Sequence, residues 1–278
     1  MNAMRHIYPP SSLTYAHPHD PPLRKFLIDT LEVSTGRTRL ERLYREIREM
    51  DIAPHEAWGL ILRQLKITIG YDPEKLARVP QSGPVIFVSN HPFGVVDGLI
   101  LGELVNQVRP EFFVLVNEVL TREALFSRYL LPIDFRETRE ALRTNLATRQ
   151  TAIARLQNGE ALAIFPAGGV ATARRPFGRA QDLEWKRFVG KLIQHSRATV
   201  IPLFFHGQNS PIFQLASQVH PSLRLGLFLN EVRNKMGKTI RVSIGAPIPW
   251  EEMKTLRNRQ ELIDFLHVQT HQLSRSPV

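Results

Sequence analysis

The sequence predicts an α/β layer sandwich, a largely parallel sheet flanked by helices, with an N-terminal helical region in front of it. Short apolar, β-branched runs of strand length recur from Pro84 onward. Between them lie helical patterns of about a dozen residues, the rhythm of strand–helix–strand units. The composition is 43% hydrophobic and 22% charged over 278 residues, which suits a globular chain of one or two domains and excludes disorder, collagen-like repeats and a disulfide scaffold.

Residues 1–22 hold five prolines and three histidines without periodicity, so they read as an irregular arm. Residues 23–70 read as a helical region. Its first pattern, Phe26–Val33, is short. Between Thr38 and Met50, Leu40, Leu43, Ile47 and Met50 recur at i, i+3, i+7 and i+10, with Arg39, Arg42, Arg45 and Arg48 between them. From Pro54 to Ile67, Trp58, Ile61, Leu62 and Leu65 form another stripe behind a proline suited to a first turn. These helices either pack as a layer on the main domain or lie as a basic amphipathic platform on an anionic membrane.

Residues 71–278 form the α/β domain. Its strands are Pro84–Ser89, Phe112–Val116, Leu131–Phe135, Ala161–Phe165, Thr199–Phe205 and Ile240–Ile244. Helices fall over Val95–Val108, over Thr138–Asn158 with its stop at Gly159, over Leu183–His195, and around Leu262, Phe265, Leu266 and Leu273.

Thirty-six Lys and Arg against 26 Asp and Glu leave a net charge of +10, which asks for an anionic partner: nucleic acid, a membrane face or a phosphorylated substrate. The absence of cysteine excludes disulfides, thiolate metal sites and cysteine catalysis. The N-terminus has no signal-peptide apolar run, and no stretch reaches membrane-spanning length. A soluble or peripheral protein is therefore expected.

In open α/β sheets, reactive groups collect in loops at the carboxyl ends of strands. Three such loops stand out. In Ser89-Asn90-His91-Pro92-Phe93-Gly94-Val95-Val96-Asp97, a histidine follows a buried strand and an aspartate follows it by six positions. Asp97 can turn back to one imidazole nitrogen, leaving the other free to take a proton from a hydroxyl; it is equally placed to cap the next helix. Gly94 supplies the freedom the spacing needs, so the two side chains are expected within hydrogen-bond reach. In Phe165-Pro166-Ala167-Gly168-Gly169-Val170, adjacent glycines let backbone N–H groups face a phosphate or an oxyanion, with Arg174 and Arg175 close downstream. The third loop, His206-Gly207-Gln208-Asn209-Ser210, follows Pro202 and its apolar strand.

Together these loops resemble the glycerolipid acyltransferase superfamily, the lysophospholipid (1-acylglycerol-3-phosphate) acyltransferases, whose hallmark is N-H-x4-D after a strand. Asn90, His91 and Asp97 match it with one extra residue in the spacing. The forms N-H-P-F-G-x-x-D-G, F-P-A-G and P-x-x-x-x-G-x-N-S, and the late stretch with Lys238, Arg241, Gly245 and Pro247, resemble its bacterial hemolysin-like branch, which includes lyso-ornithine-lipid acyltransferases. The likeness runs in order from about Gly83 to Pro249.

The resemblance implies a catalytic pair: His91 as general base and Asp97 to orient it. Asn90 precedes that pair in the motif, and the acyl thioester would be attacked directly by the acceptor. Arg136 stands where the second block holds the acceptor's phosphate. Phe165, Pro166, Gly168 and Gly169 match the third block, F-P-E-G-T, but Ala167 replaces its glutamate and Val170 its phosphate-binding arginine. Arg174 or Arg175 would have to substitute, and a lysolipid other than lysophosphatidic acid becomes the expected acceptor. Pro202 matches the proline that shapes the acyl-donor side. No cofactor is implied; acyl-CoA or acyl carrier protein is the co-substrate.

No serine-hydrolase elbow, phosphate loop or dinucleotide turn is present. His267 and His271, at i and i+4, lack a further metal ligand, so no metal site is expected. The aromatics lie inside apolar strands rather than among arginines, against a nucleic-acid partner. Two other readings stay open on sequence alone: a catalytically inactive lipid-binding relative and a basic nucleic-acid-binding protein. The expectation is an acyltransferase peripheral on the cytoplasmic face of a bacterial membrane, with an anionic lipid surface as partner.

Overall fold

The computed structural model describes residue 14 and residues 21–34, 36–50, 52–118, 124–134, 138–175, 177–256 and 258–276. Nearly all of the expected arm, and Phe135 and Arg136, lie outside the described residues.

In chain order the structure runs α1 (Pro22–Ser34), α2 (Arg37–Glu49), α3 (Ala57–Gln64), β1 (Thr68–Gly70), α4 (Pro73–Ala77), β2 (Val85–Ser89), α5 (Val95–Val108), β3 (Phe112–Asn117), β4 (Leu130–Ile133) and α6 (Arg139–Gln157). It continues with β5 (Ala161–Ile164), β6 (Thr172–Ala173), β7 (Ala180–Gln181), α7 (Arg187–Ser196), β8 (Thr199–Phe205), α8 (Pro211–Val219), α9 (Pro221–Lys235), β9 (Thr239–Ile244), α10 (Trp250–Met253) and α11 (Arg259–Gln272).

Seven strands form one sheet in the order β1-β9-β8-β2-β5-β3-β4. Every ladder in it is parallel except β8–β9. The central strand shows why the runs lack alternation: Val85 and Phe87 face one apolar layer, Ile86 and Val88 the other, and all are fully buried. The first layer draws on α2, α3, α5 and α9, the second on α6, α7, α10 and α11. Helix ends follow local chemistry. The Thr138 hydroxyl accepts from Ala141 N–H to start α6, and Asp72 caps α4 in front of Pro73.

Order matters here because β8, β2 and β5 are neighbours. The loops leaving their carboxyl ends, far apart in sequence, therefore converge above the middle of the sheet.

The N-terminal helices share the first layer: Leu40 and Ile47 of α2 and Trp58, Ile61 and Leu62 of α3 belong to it, while Arg39, Arg42 and Arg45 face outward. Trp58 packs against Phe126 and Tyr129 at ring-centroid distances of 4.0 and 5.6 Å. A Cβ on Gly102 of α5 would lie 2.4 Å from the Trp58 ring, so only glycine lets α3 and α5 meet. Gly102→Ala is expected to cost about 1–3 kcal/mol by overpacking, read as a lower urea midpoint. An unchanged midpoint would mean that Trp58 yields freely.

The structure departs from the sequence reading after β5. A short antiparallel hairpin, β6–β7, intervenes, and α7 begins at Arg187 rather than Leu183. Residues 206–238, where the sequence shows no clear periodicity, hold α8 and α9.

Candidate active site

Asp97 sits at the third position of α5, whose N-cap is Gly94 at φ +86°, ψ −119°, a conformation L side chains rarely adopt. That turn brings the carboxylate back over the loop. One oxygen, Oδ2, accepts from Phe93 N–H at 2.7 Å and Gly94 N–H at 3.0 Å and lies 3.0 Å from His91 Nδ1. A single oxygen thus makes both the helix-capping contacts and the contact to the imidazole. The Asp97 side chain is 0% exposed and its Oδ1 has no hydrogen-bond partner. Burial pushes the carboxyl above its usual range, against the opposing pull of His91 and the two backbone donors. His91 keeps 16% exposure, and among the described residues its Nε2 has no partner.

His91 is held from three further directions, one at the ring and two at the backbone. Phe165 stacks on its face with ring centroids 3.9 Å apart and 19° between planes. The His91 carbonyl accepts from Ala171 N–H at 2.8 Å, and its N–H donates to Asp182 Oδ1 at 3.1 Å. Asp182 also accepts from Trp185 Nε1 at 3.1 Å and lies 3.9 Å from His271 Nε2. The sequence gives no signal for Asp182: D-L-E-W at 182–185 reads as a solvated turn, and only the fold buries this carboxylate beside His91.

The other expected site residues divide. Asn90 is buried and commits its whole amide to Phe205 of β8, donating to the carbonyl at 2.9 Å and accepting from the N–H at 2.7 Å. Pro166 accepts from Lys186 N–H through its carbonyl. Gly168, at φ +67°, spends its N–H on the Phe165 carbonyl, whereas Gly169 N–H has no partner among the described residues. Ala167 is buried beside Trp185 and Val189 in the second layer, and Val170 packs with Phe213, Leu227 and Phe228. The two positions where the resembled motif carries a glutamate and an arginine are therefore apolar sites here. Arg174 and Arg175 are exposed on the β6–β7 hairpin. Pro202 is buried within β8 against Gly245; it lines a cleft of about 400 Å³ with Pro247, Ile248 and Leu273 that His91 does not line. Arg136 lies outside the described residues.

A second unforeseen feature is the buried pair Lys235 and Glu231 of α9, 3.5 Å apart. Glu231 accepts from Ser210 N–H and hydroxyl, and Lys235 Nζ lies 4.7 Å from the Phe93 ring centre. The pair ties the third loop to the first. Among the described residues no group of three or more His, Cys, Asp or Glu could hold a metal ion. No described helix is long and apolar enough to cross a membrane.

A histidine with one nitrogen tied to a buried carboxylate and the other open, above the middle of a mostly parallel sheet, is an arrangement on an α/β fold that can take a proton from a hydroxyl. Comparison with known proteins then gives the family. An acyltransferase family model matches residues 34–277. A lyso-glycine lipid O-acyltransferase of Phocaeicola vulgatus is 30% identical over 202 residues, 69% of this chain and 68% of that protein. One of Bacteroides thetaiotaomicron is 32% identical over 187 residues, 63% and 65% of the two chains. The 1-acyl-sn-glycerophosphate (LPA) acyltransferase PlsC of Thermotoga maritima aligns at TM-score 0.48 and 14% identity, over 90% of this chain and 93% of that one. The chain belongs to the acyltransferase family, of the lysophospholipid acyltransferase type.

Proposed function

We propose that this protein moves a fatty acyl chain from a thioester, acyl-CoA or acyl carrier protein, to the hydroxyl of a lysolipid at an anionic membrane surface during membrane lipid synthesis. The observation that carries this reading is the His91–Asp97 contact at 3.0 Å with Nε2 left open, in a chain of this family. Nε2 takes the hydroxyl proton as the acceptor oxygen bonds to the thioester carbonyl carbon. Asp97 holds Nδ1–H and faces the imidazolium charge that develops. The C–S bond then breaks, the thiolate leaves, and His91 returns the proton to sulfur. The products are an ester and a free thiol. Gly169 N–H is the candidate donor to the oxyanion.

For the acceptor, the apolar packing of Val170 favours a headgroup that needs no arginine at that position, in line with the lyso-glycine lipids in the relatives' names. In an assay with labelled acyl-CoA and acyl carrier protein, lyso-glycine and lyso-ornithine lipids are expected to outrun lysophosphatidic acid at least about tenfold. That is the scale on which one charged contact discriminates. Faster transfer to lysophosphatidic acid would refute the headgroup assignment. Transfer that persists in His91→Ala would refute the mechanism.

A further inference from the structure

The hairpin β6–β7 has features the chemistry above does not use. Its connecting residues carry Arg174, Arg175 and Arg179, all exposed and, among the described residues, without an ion pair. Between them Phe177 is 80% exposed and sits at φ +60°, a left-handed conformation bulky side chains rarely adopt. A phenylalanine held out in water between arginines is costly for a water-soluble surface and suited to a lipid interface, where the ring enters the acyl boundary and the guanidinium groups meet headgroup phosphates.

The hairpin is braced on α8. Ala173 N–H donates to Gln214 Oε1 at 2.8 Å, and Gln218 Nε2 donates to the Ala173 carbonyl at 3.2 Å. Helix α8 adds apolar exposure of its own, Ile212 at 66% and Val219 at 73%, seven residues apart and so on one face. The hairpin is also rooted at the base. The residue before β6, Ala171, and the residue after β7, Asp182, are the two that hydrogen-bond the backbone of His91.

We infer that the β6–β7 hairpin, braced on α8, is the element that docks this protein on an anionic lipid bilayer, Phe177 entering the interface and Arg174, Arg175 and Arg179 contacting the headgroups. The inference rests on the acyltransferase reading for its purpose, since it brings the bilayer to within one short hairpin of His91. Its physical content is independent of that reading. The charge complementarity selects lipid: the three arginines flank one exposed aromatic ring rather than alternating with several stacking platforms.

The test uses the full chain and vesicles of phosphatidylethanolamine and phosphatidylglycerol, with phosphatidylcholine vesicles as the neutral control. Phe177→Trp is expected to show a blue-shifted emission with anionic vesicles, quenched by lipids brominated near the interface. The triple variant Arg174→Gln, Arg175→Gln and Arg179→Gln should bind them on the order of 100-fold more weakly, from the contribution of each arginine at an anionic surface. Phe177→Ser should bind on the order of tenfold more weakly and lose transfer to vesicle-embedded acceptor, while keeping wild-type transfer to a short-chain acceptor below its micelle concentration. Circular dichroism and thermal melts establish that each variant is folded.

Unshifted Trp emission, or undiminished vesicle binding by the triple variant, would overturn the inference. So would a response to single-stranded RNA and none to vesicles. Insertion of the hairpin with no acyl transfer by the wild type would support the docking element and overturn the enzymatic reading alone.

Discussion

Replacing His91 with alanine is expected to lower acyl transfer by about 10²–10⁴-fold, the range for loss of a general base. Asp97→Asn is expected to fall between, at about 10- to 100-fold. The reason is the single-atom arrangement. Oδ2 already accepts from Phe93, Gly94 and His91, so an asparagine must place its carbonyl there and its NH2 at the partnerless Oδ1 position. The opposite rotamer would aim NH2 at two backbone donors. The His91 tautomer is therefore kept and only the negative charge facing the imidazolium is lost, a charge-assisted hydrogen bond's worth of about 1.5–3 kcal/mol. Loss in Asp97→Asn equal to that in His91→Ala would show that the tautomer had been lost as well.

The same substitution has a signature in stability. Burial raises the folded-state pKa of Asp97 above its unfolded value. The contribution of this group is then fully present below the unfolded pKa and is lost as pH rises through the folded one, since the folded state must release a proton it holds more tightly. Asparagine does not titrate. The melting temperature of Asp97→Asn relative to wild type should therefore climb as pH rises above the ordinary carboxylate range. A difference that is flat or declining would mean that the carboxylate is better solvated than its burial implies.

Strand β2 was legible because a five-residue run buried on both faces leaves a continuous apolar signature, and β5 and β8 share it. Helix α6 was legible through Thr138 and Gly159 at its two ends. The His91–Asp97 pair could be read because it closes within one loop, so spacing alone describes it. The region after β8 could not. Pro211 and Pro221 look like breakers but occupy first helical turns, and residues 227–232 of α9 are all buried, since α1 and α8 cover the faces the core leaves open. No amphipathic stripe survives such burial. Asp182 is 91 positions from His91, and Glu231 is 21 from Ser210. Contacts of that range are set by strand order, which no local pattern encodes.

Asn90→Ala is expected to destabilise the fold by about 2–5 kcal/mol, the range for stranding two buried backbone groups. The ladder between β2 and β8 ends at Ser89 opposite Leu203, because the chain must leave the sheet to place His91. Asn90 extends that ladder with its side chain, donating to and accepting from Phe205 as a strand residue would. Alanine leaves the Phe205 N–H and carbonyl facing a gap that is closed to water by the burial of both residues. The denaturation midpoint should fall, and kcat should fall with it, because the residue next to Asn90 carries the imidazole; KM for the acceptor should change little. Asn90→Asp separates this from a substrate contact: it keeps the acceptor for Phe205 N–H but sets a buried charge against the carbonyl, so it should be at least as destabilising as alanine. An alanine variant with the wild-type midpoint and a raised KM would instead assign Asn90 to the acceptor, and β2 and β8 would have to be held together there by something other than its amide.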